Sequence, residues 1–186
     1  MAAKIEPLMT VDDLDCMPED GNRYEVIEGE LFVSRAPGLP HQLVSANIVA
    51  LLWNYLQQNP IGRVVPTPGL ILSQYSGVIP DIVFFSHKRS EEIIANERLV
   101  AAPELLIEIL SRGRENIARD RVAKRQLYAK HGVTEYWIVD AENRAVEVYR
   151  LAKGTLDLAS ILKAEDEIGS PVLPGFKCLV SDFFRT

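Results

Sequence analysis

The chain has 186 residues, a length that suits one compact domain with room for a buried core. Apolar residues make up 47% and charged residues 25%, with no biased tract, which excludes disordered, collagen-like and repeat architectures. The net charge of −6 argues against general affinity for nucleic acid, yet residues 112–130 carry seven bases against Glu115 and Asp120, a local surface that suits phosphates.

The N-terminus lacks the basic flank and apolar run of a signal peptide, and the longest apolar-leaning stretch, Leu43 to Leu56, is too short to span a bilayer. Cys16 and Cys178 form neither a disulfide framework nor a zinc ligand set. A cytoplasmic protein with no membrane segment is the expectation. Thr10 followed by Asp13 predicts a capped short helix to about Met17, ended by Pro18. Arg23 to Ile27 and Glu30 to Arg35 alternate polar with apolar around Glu28-Gly29, the pattern of a hairpin.

Val44, Ile48, Leu51, Leu52 and Tyr55 recur at helical spacing, so His41 to Asn59 reads as one long amphipathic helix. Gly62 to Pro66, Gly69 to Ser73 and Val78 to Ser86 read as three strands of a meander, followed by a helix near His87 to Ala95. The apolar run at 103–110 suits a strand buried on both faces, and Ile117 to His131 a second helix closed by Gly132. Thr134 to Asp140 and Ala145 to Leu151 are further strands, with one or two edge strands near Leu156 to Leu162 and a terminal turn at Ser181 to Phe184. The order of elements predicts an α/β protein, a mixed β-sheet flanked by helices. Trp53 and Trp137, both in apolar segments, are expected in the core.

Three charges break the apolar pattern. Asp81 follows Pro80 inside a run of Val78, Ile79, Ile82, Val83, Phe84 and Phe85, where a charge is costly unless paired or holding a metal. Glu108 shares a strand face with Leu106 and Leu110 by period two, while Leu105, Ile107 and Ile109 take the other. Carboxylates on neighbouring strands suit a hard divalent cation, Mg²⁺ or Mn²⁺; strand-end residues reaching solvent or an ion pair are the plainer alternative. Lys124 lies on the inward helix face with Ile117, Asp120, Leu127, Tyr128 and His131. There it either neutralises the carboxylates, orients a water and stabilises a phosphate, or pairs with Asp120 one turn away.

Pro80-Asp81, Glu108 in a buried strand and a lysine on the next helix resemble the PD-(D/E)XK nuclease superfamily in a variant whose lysine sits on the helix. More narrowly, residues 23–31, Pro40-His41-Gln42, 79–84, Glu108 to Ser111, Asp120 to Lys124 and the long block 128–140 are similar to the Uma-type restriction-endonuclease-like family over about residues 10–184. The resemblance implies a restriction-endonuclease-like core at about residues 22–151, with an N-terminal helix and a C-terminal strand extension in one domain of residues 1–186. It implies Asp81 and Glu108 as metal ligands and Lys124 as the catalytic lysine. Glu25 and His41 would border the same cleft, with Asp120 and Tyr128 beside them. Leu110 stands where the superfamily more often has lysine, and Arg112 to Asn116 where the family more often has Pro-Ser-Thr.

The resulting expectation is a divalent-metal-dependent endonuclease acting on DNA, with Arg112, Arg114, Arg119 and Arg125 on the nucleic-acid backbone, working as a homodimer. A non-catalytic nuclease-like binding or scaffold module and a metal-dependent hydrolase of a small phosphoester are the alternatives. No P-loop, G-x-G-x-x-G, H-E-x-x-H or G-x-S-x-G string occurs.

Overall fold

The computed structural model describes residues 8–111 and 113–185, so Arg112, expected at the basic surface, lies outside the described residues. The short helix expected from Thr10 to about Met17 is a 3-10 helix, Asp12–Cys16. Asp13 accepts hydrogen bonds from both the backbone N–H and the hydroxyl of Thr10. β1 (Asn22–Ile27) and β2 (Glu30–Arg35) pair antiparallel. Their two-residue turn has positive φ at Glu28 (52°) and Gly29 (84°), the twist that suits a tight hairpin. α1 (Leu39–Gln58) begins two residues before His41, with Pro40 in its first turn where a missing N–H costs nothing. It buries Val44, Ile48, Leu52 and Leu56; Trp53, expected in the core, is 55% exposed because it lies off that stripe.

The expected meander does not form. β3 (Gly62–Pro66) pairs with β6 (Ile82–Ser86), whereas β4 (Leu70–Ser73) pairs with β5 (Ser76–Val78) in a different sheet. The strand expected at Val78 to Ser86 breaks at Ile79-Pro80-Asp81. Pro80 has no N–H for a ladder, and the N–H of Ile79 donates to Glu25 Oε1 at 2.7 Å instead of to a neighbouring strand. The chain changes sheets at these three residues.

α2 (His87–Ile93) is capped by Ser86, whose Oγ accepts the Arg89 N–H at 3.1 Å. A small hairpin, β7 (Ile94–Ala95) and β8 (Arg98–Leu99), replaces the last turn expected of this helix. After β9 (Leu105–Ile109) the helical segment starts earlier than the sequence suggests: α3 (Arg114–Ala118), a π-helical turn (Arg119–Lys124) and α4 (Arg125–Lys130). β10 (Glu135–Asp140) runs parallel to β9, and β11 (Ala145–Ala152) and β12 (Thr155–Lys163) follow antiparallel. β13 (Glu167–Ser170) and β14 (Leu173–Leu179) form a ribbon that the sequence pattern does not reveal, and a 3-10 turn at Val180–Phe184 ends the described chain.

Among the described residues the strands form two six-stranded sheets, ordered β2-β1-β5-β4-β8-β7 and β12-β11-β10-β9-β6-β3, plus the ribbon. The second sheet is central. One face, with Leu105, Ile107, Ile109 and Trp137, packs under α1, the ribbon and Phe183. The other, with Val83, Phe85, Leu106 and Ile138, packs against Leu127 and Tyr128 of α4 and against Ile27, Leu70 and Val78 of the first sheet. The fold is therefore mixed α/β with helices flanking the sheets, as expected. Among the described residues no helix is long and apolar enough to cross a membrane.

Candidate active site

The two sheets meet at a polar cleft with a volume of about 20 Å³, room for about one water-sized group. Each side chain arrives from a different element: Glu25 from β1, His41 from α1, Asp81 from the sheet-switching segment, Glu108 from β9, and Asp120 and Lys124 from the π-helical turn. Glu108 occupies the face that period two assigns it, the face of Leu106. A π-helical turn is often found at functional sites, and here it brings Arg119 and Asp120 inward together with Lys124.

Lys124 is 1% exposed. Its Nζ lies 2.8 Å from Glu25 Oε1 and 2.9 Å from Glu108 Oε1, and 4.0 Å from Asp120 Oδ1. The i,i+4 pairing considered from the sequence is thus the longest of its three contacts. The Tyr128 hydroxyl donates to Glu108 Oε1 at 2.8 Å. Asp81 is held from three sides: Arg23 at 3.2 Å, His41 Nε2 at 3.0 Å and the N–H of Ile109 at 2.9 Å. Arg119, expected on the nucleic-acid surface, is turned inward, 3.0 Å from Asp120 Oδ1 and 3.7 Å from Glu25 Oε2. Arg114 is exposed, and Arg125 stacks its guanidinium 5.1 Å from the centre of the Tyr149 ring.

Four carboxyls face three permanent cations, Arg23, Arg119 and Lys124, together with His41. Burial pushes Glu108 up to about 8; Lys124 pulls against this while Asp81, Asp120 and Glu25 add to it. Burial would lift Asp81 too, but the hydrogen bonds from His41 and Ile109 and the charges of His41 and Lys124 outweigh it and hold Asp81 below the usual carboxylate range. Burial raises Asp120 against Lys124 and Arg119. Burial lowers Lys124, yet Glu108, Glu25 and Asp120 outweigh it and keep the ammonium charged. Tyr128 is pushed well above its ordinary value by burial and by Glu108, so it stays a hydrogen-bond donor.

Among the described residues no three His, Cys, Asp or Glu side chains are placed to ligate one ion. A hard cation needs less, one or two carboxylates completed by waters. Asp81 and Glu108 line the same cleft, and only one oxygen of Glu108 is engaged by described groups, so this donor set fits a hard divalent cation.

Arg23 and Arg119 were not legible as parts of this cluster. Arg23 carried a usable signal, since period two puts it on the face of Glu25 in β1. Arg119 carried none, because a regular helix turns it away from Lys124.

A mixed central sheet with a β9-helix-β10 crossover and carboxylates at the C-terminal end of β9 defines a nuclease-like fold. The chain aligns with the crystal structure of a "putative nuclease belonging to DUF820" from Anabaena variabilis, at 21% identity, with a TM-score of 0.77 over 95% of this chain and 97% of that one. The family model of Uma2, described as "Putative restriction endonuclease", matches residues 11–181, and the chain belongs to that family. A type IIG restriction endonuclease, BpuSI, aligns at 16% identity and a TM-score of 0.43, over 77% of this chain and 15% of that one. No curated protein matches the chain.

Proposed function

We propose that this protein is a divalent-cation-dependent endonuclease that hydrolyses phosphodiester bonds in DNA. The observation that carries the reading is Lys124, fully buried and charged, clamped between Glu25 and Glu108 in a cleft that also takes in Asp81. Titratable groups gathered at such cost in a cleft mark functional sites more often than stable cores do.

Asp81 and Glu108 would hold the cation. When bound, Mg²⁺ or Mn²⁺ supplies polarisation of the scissile phosphate and a water of lowered pKa. The Lys124 ammonium fixes the Glu108 carboxylate, orients the attacking water and places positive charge beside the phosphate as its charge develops. Tyr128 locks Glu108 from behind, while Arg23, His41 and the Ile109 N–H fix Asp81. Glu25 anchors Lys124 and reads the backbone of Ile79, tying the proline break to the site. Arg114 and Arg125 remain the arginines of the helical segment assigned to the DNA backbone. The reading includes a cytoplasmic homodimer.

One observation favours a non-catalytic module: Asp81 and Glu108 are both already partnered inside the protein. Calorimetry with Mn²⁺ decides between the two, alongside plasmid cleavage. Wild type is expected to bind Mn²⁺ and nick plasmid, with both lost in Asp81→Ala. A wild-type protein that takes up no cation and cuts nothing would sink the nuclease reading in favour of the module.

A further inference from the structure

Four cationic side chains line the cleft: Arg23, Arg35, Arg119 and Lys124. Three are committed to buried carboxylates, Arg23 to Asp81, Arg119 to Asp120 and Glu25, and Lys124 to Glu25 and Glu108. Arg35 differs. It is exposed, it ends β2, and no carboxylate among the described residues engages it. Its backbone is nonetheless fixed relative to the site, because β2 pairs with β1 over six positions and places Arg35 opposite Asn22, next to Arg23. The hydroxyls of Ser34 and Ser111 line the same cleft, again with no partner among the described residues.

The interior of the cleft is thus close to charge balance, while the groups left open on its lining, a guanidinium and two hydroxyls, all offer hydrogen-bond donors. A guanidinium matches the two non-bridging oxygens of a phosphodiester with paired N–H bonds. We propose that Arg35 grips a phosphate of the nucleic-acid backbone next to the bond presented to Asp81, Glu108 and Lys124. The inference rests on the nuclease reading and deepens it by naming the hairpin as the element that seats the strand. Arg35 makes a backbone contact, so it sets affinity and register rather than base preference.

The test is binding of a short fluorescent DNA duplex, measured by anisotropy without divalent cation, over a range of sodium chloride concentrations. Arg35→Gln is expected to bind several-fold more weakly and to reduce the slope of log K against log salt by about one. Arg35→Lys, which keeps the charge, is expected to keep the slope. Melting temperatures of both variants are expected to match wild type, since Arg35 has no described partner to lose. An Arg35→Gln protein with wild-type affinity and slope, or one whose weaker binding comes with a lowered melting temperature, overturns the assignment and leaves the nuclease reading standing. Wild type that binds no duplex at any salt overturns both. In a further arm sodium phosphate replaces chloride at equal ionic strength: release of DNA by phosphate that is weaker in Arg35→Gln supports the contact, and release identical in wild type and Arg35→Gln overturns it.

Discussion

Lys124 has two buried carboxylates within 2.9 Å, so its removal strands charge that Arg119, 3.7 Å from Glu25, and the Tyr128 hydroxyl on Glu108 offset only in part. Breaking a buried pair in this way costs about 3–5 kcal/mol, against about 0.3–0.5 for the exposed helix pair considered from the sequence. Lys124→Ala should therefore lose stability as well as cleavage, visible as a lower urea midpoint. Glu108→Gln should behave differently, because the amide replaces a carboxyl that burial already drives toward its neutral form. It is expected to keep or raise the urea midpoint while losing Mn²⁺ binding in calorimetry; a drop as large as that of Lys124→Ala would mean Glu108 is mainly a structural anion. His131 supplies a pH effect. Its Nε2 is buried without a partner among the described residues, and burial and Lys130, opposed by Glu28, lower its pKa below 6.5. The unfolded chain binds this proton more readily, so stability from His131 is intact above pH 6.5 and is lost as pH falls through the folded-state value. His131→Gln should flatten the decline in urea midpoint below pH 6.5, and an unchanged slope would place the effect elsewhere.

The elements show how much of the site could be read from the chain. Asp81, Glu108 and Lys124 stood out because each interrupts an apolar period, and that signal is local. The partners of β3 and β6 were not legible, since strand pairing is set by contacts between distant segments and a proline break looks the same whether or not the chain changes sheets. The π-helical turn was invisible for another reason: wider i→i+5 bonding shifts the apolar stripe too little over six residues to betray itself. The β1-β2 hairpin was readable from the alternation on either side of Glu28-Gly29, and it carries Arg23, Glu25 and Arg35 to the cleft. Gly29 has φ of 84°, and a Cβ there would come within 2.7 Å of Leu8 Cδ2. Gly29→Ala is expected to cost more than about 1 kcal/mol by urea melting and to weaken DNA binding in step. A variant of wild-type stability would show that the turn relaxes.

At the scale of the molecule, each six-stranded sheet among the described residues ends in two edge strands, β2 and β7 in the first and β12 and β3 in the second. β12 is nine residues long and exposes Leu158 at 50% and Ile161 at 58%. An edge of that kind invites pairing with a second copy about a two-fold axis, which supports the homodimer of the proposed function. Light scattering at tens of micromolar should give twice the chain mass, falling to one chain in Ile161→Lys; a wild-type monomer would remove the dimer from the reading. We propose that the chain is one folding unit, since the central sheet contributes to both hydrophobic clusters.

Lys124 joins Glu25 of the first sheet to Glu108 of the second, and Glu25 in turn holds the Ile79 N–H where the chain passes between them. The site is thus a latch across a seam, and its geometry reports whether the two sheets are docked. A brief parting of the seam would erase the cleft before either sheet lost its own ladder. Amide protection at Ile79 and Ile109, the two backbone donors to the cleft carboxylates, becomes a gauge of how often the latch is shut.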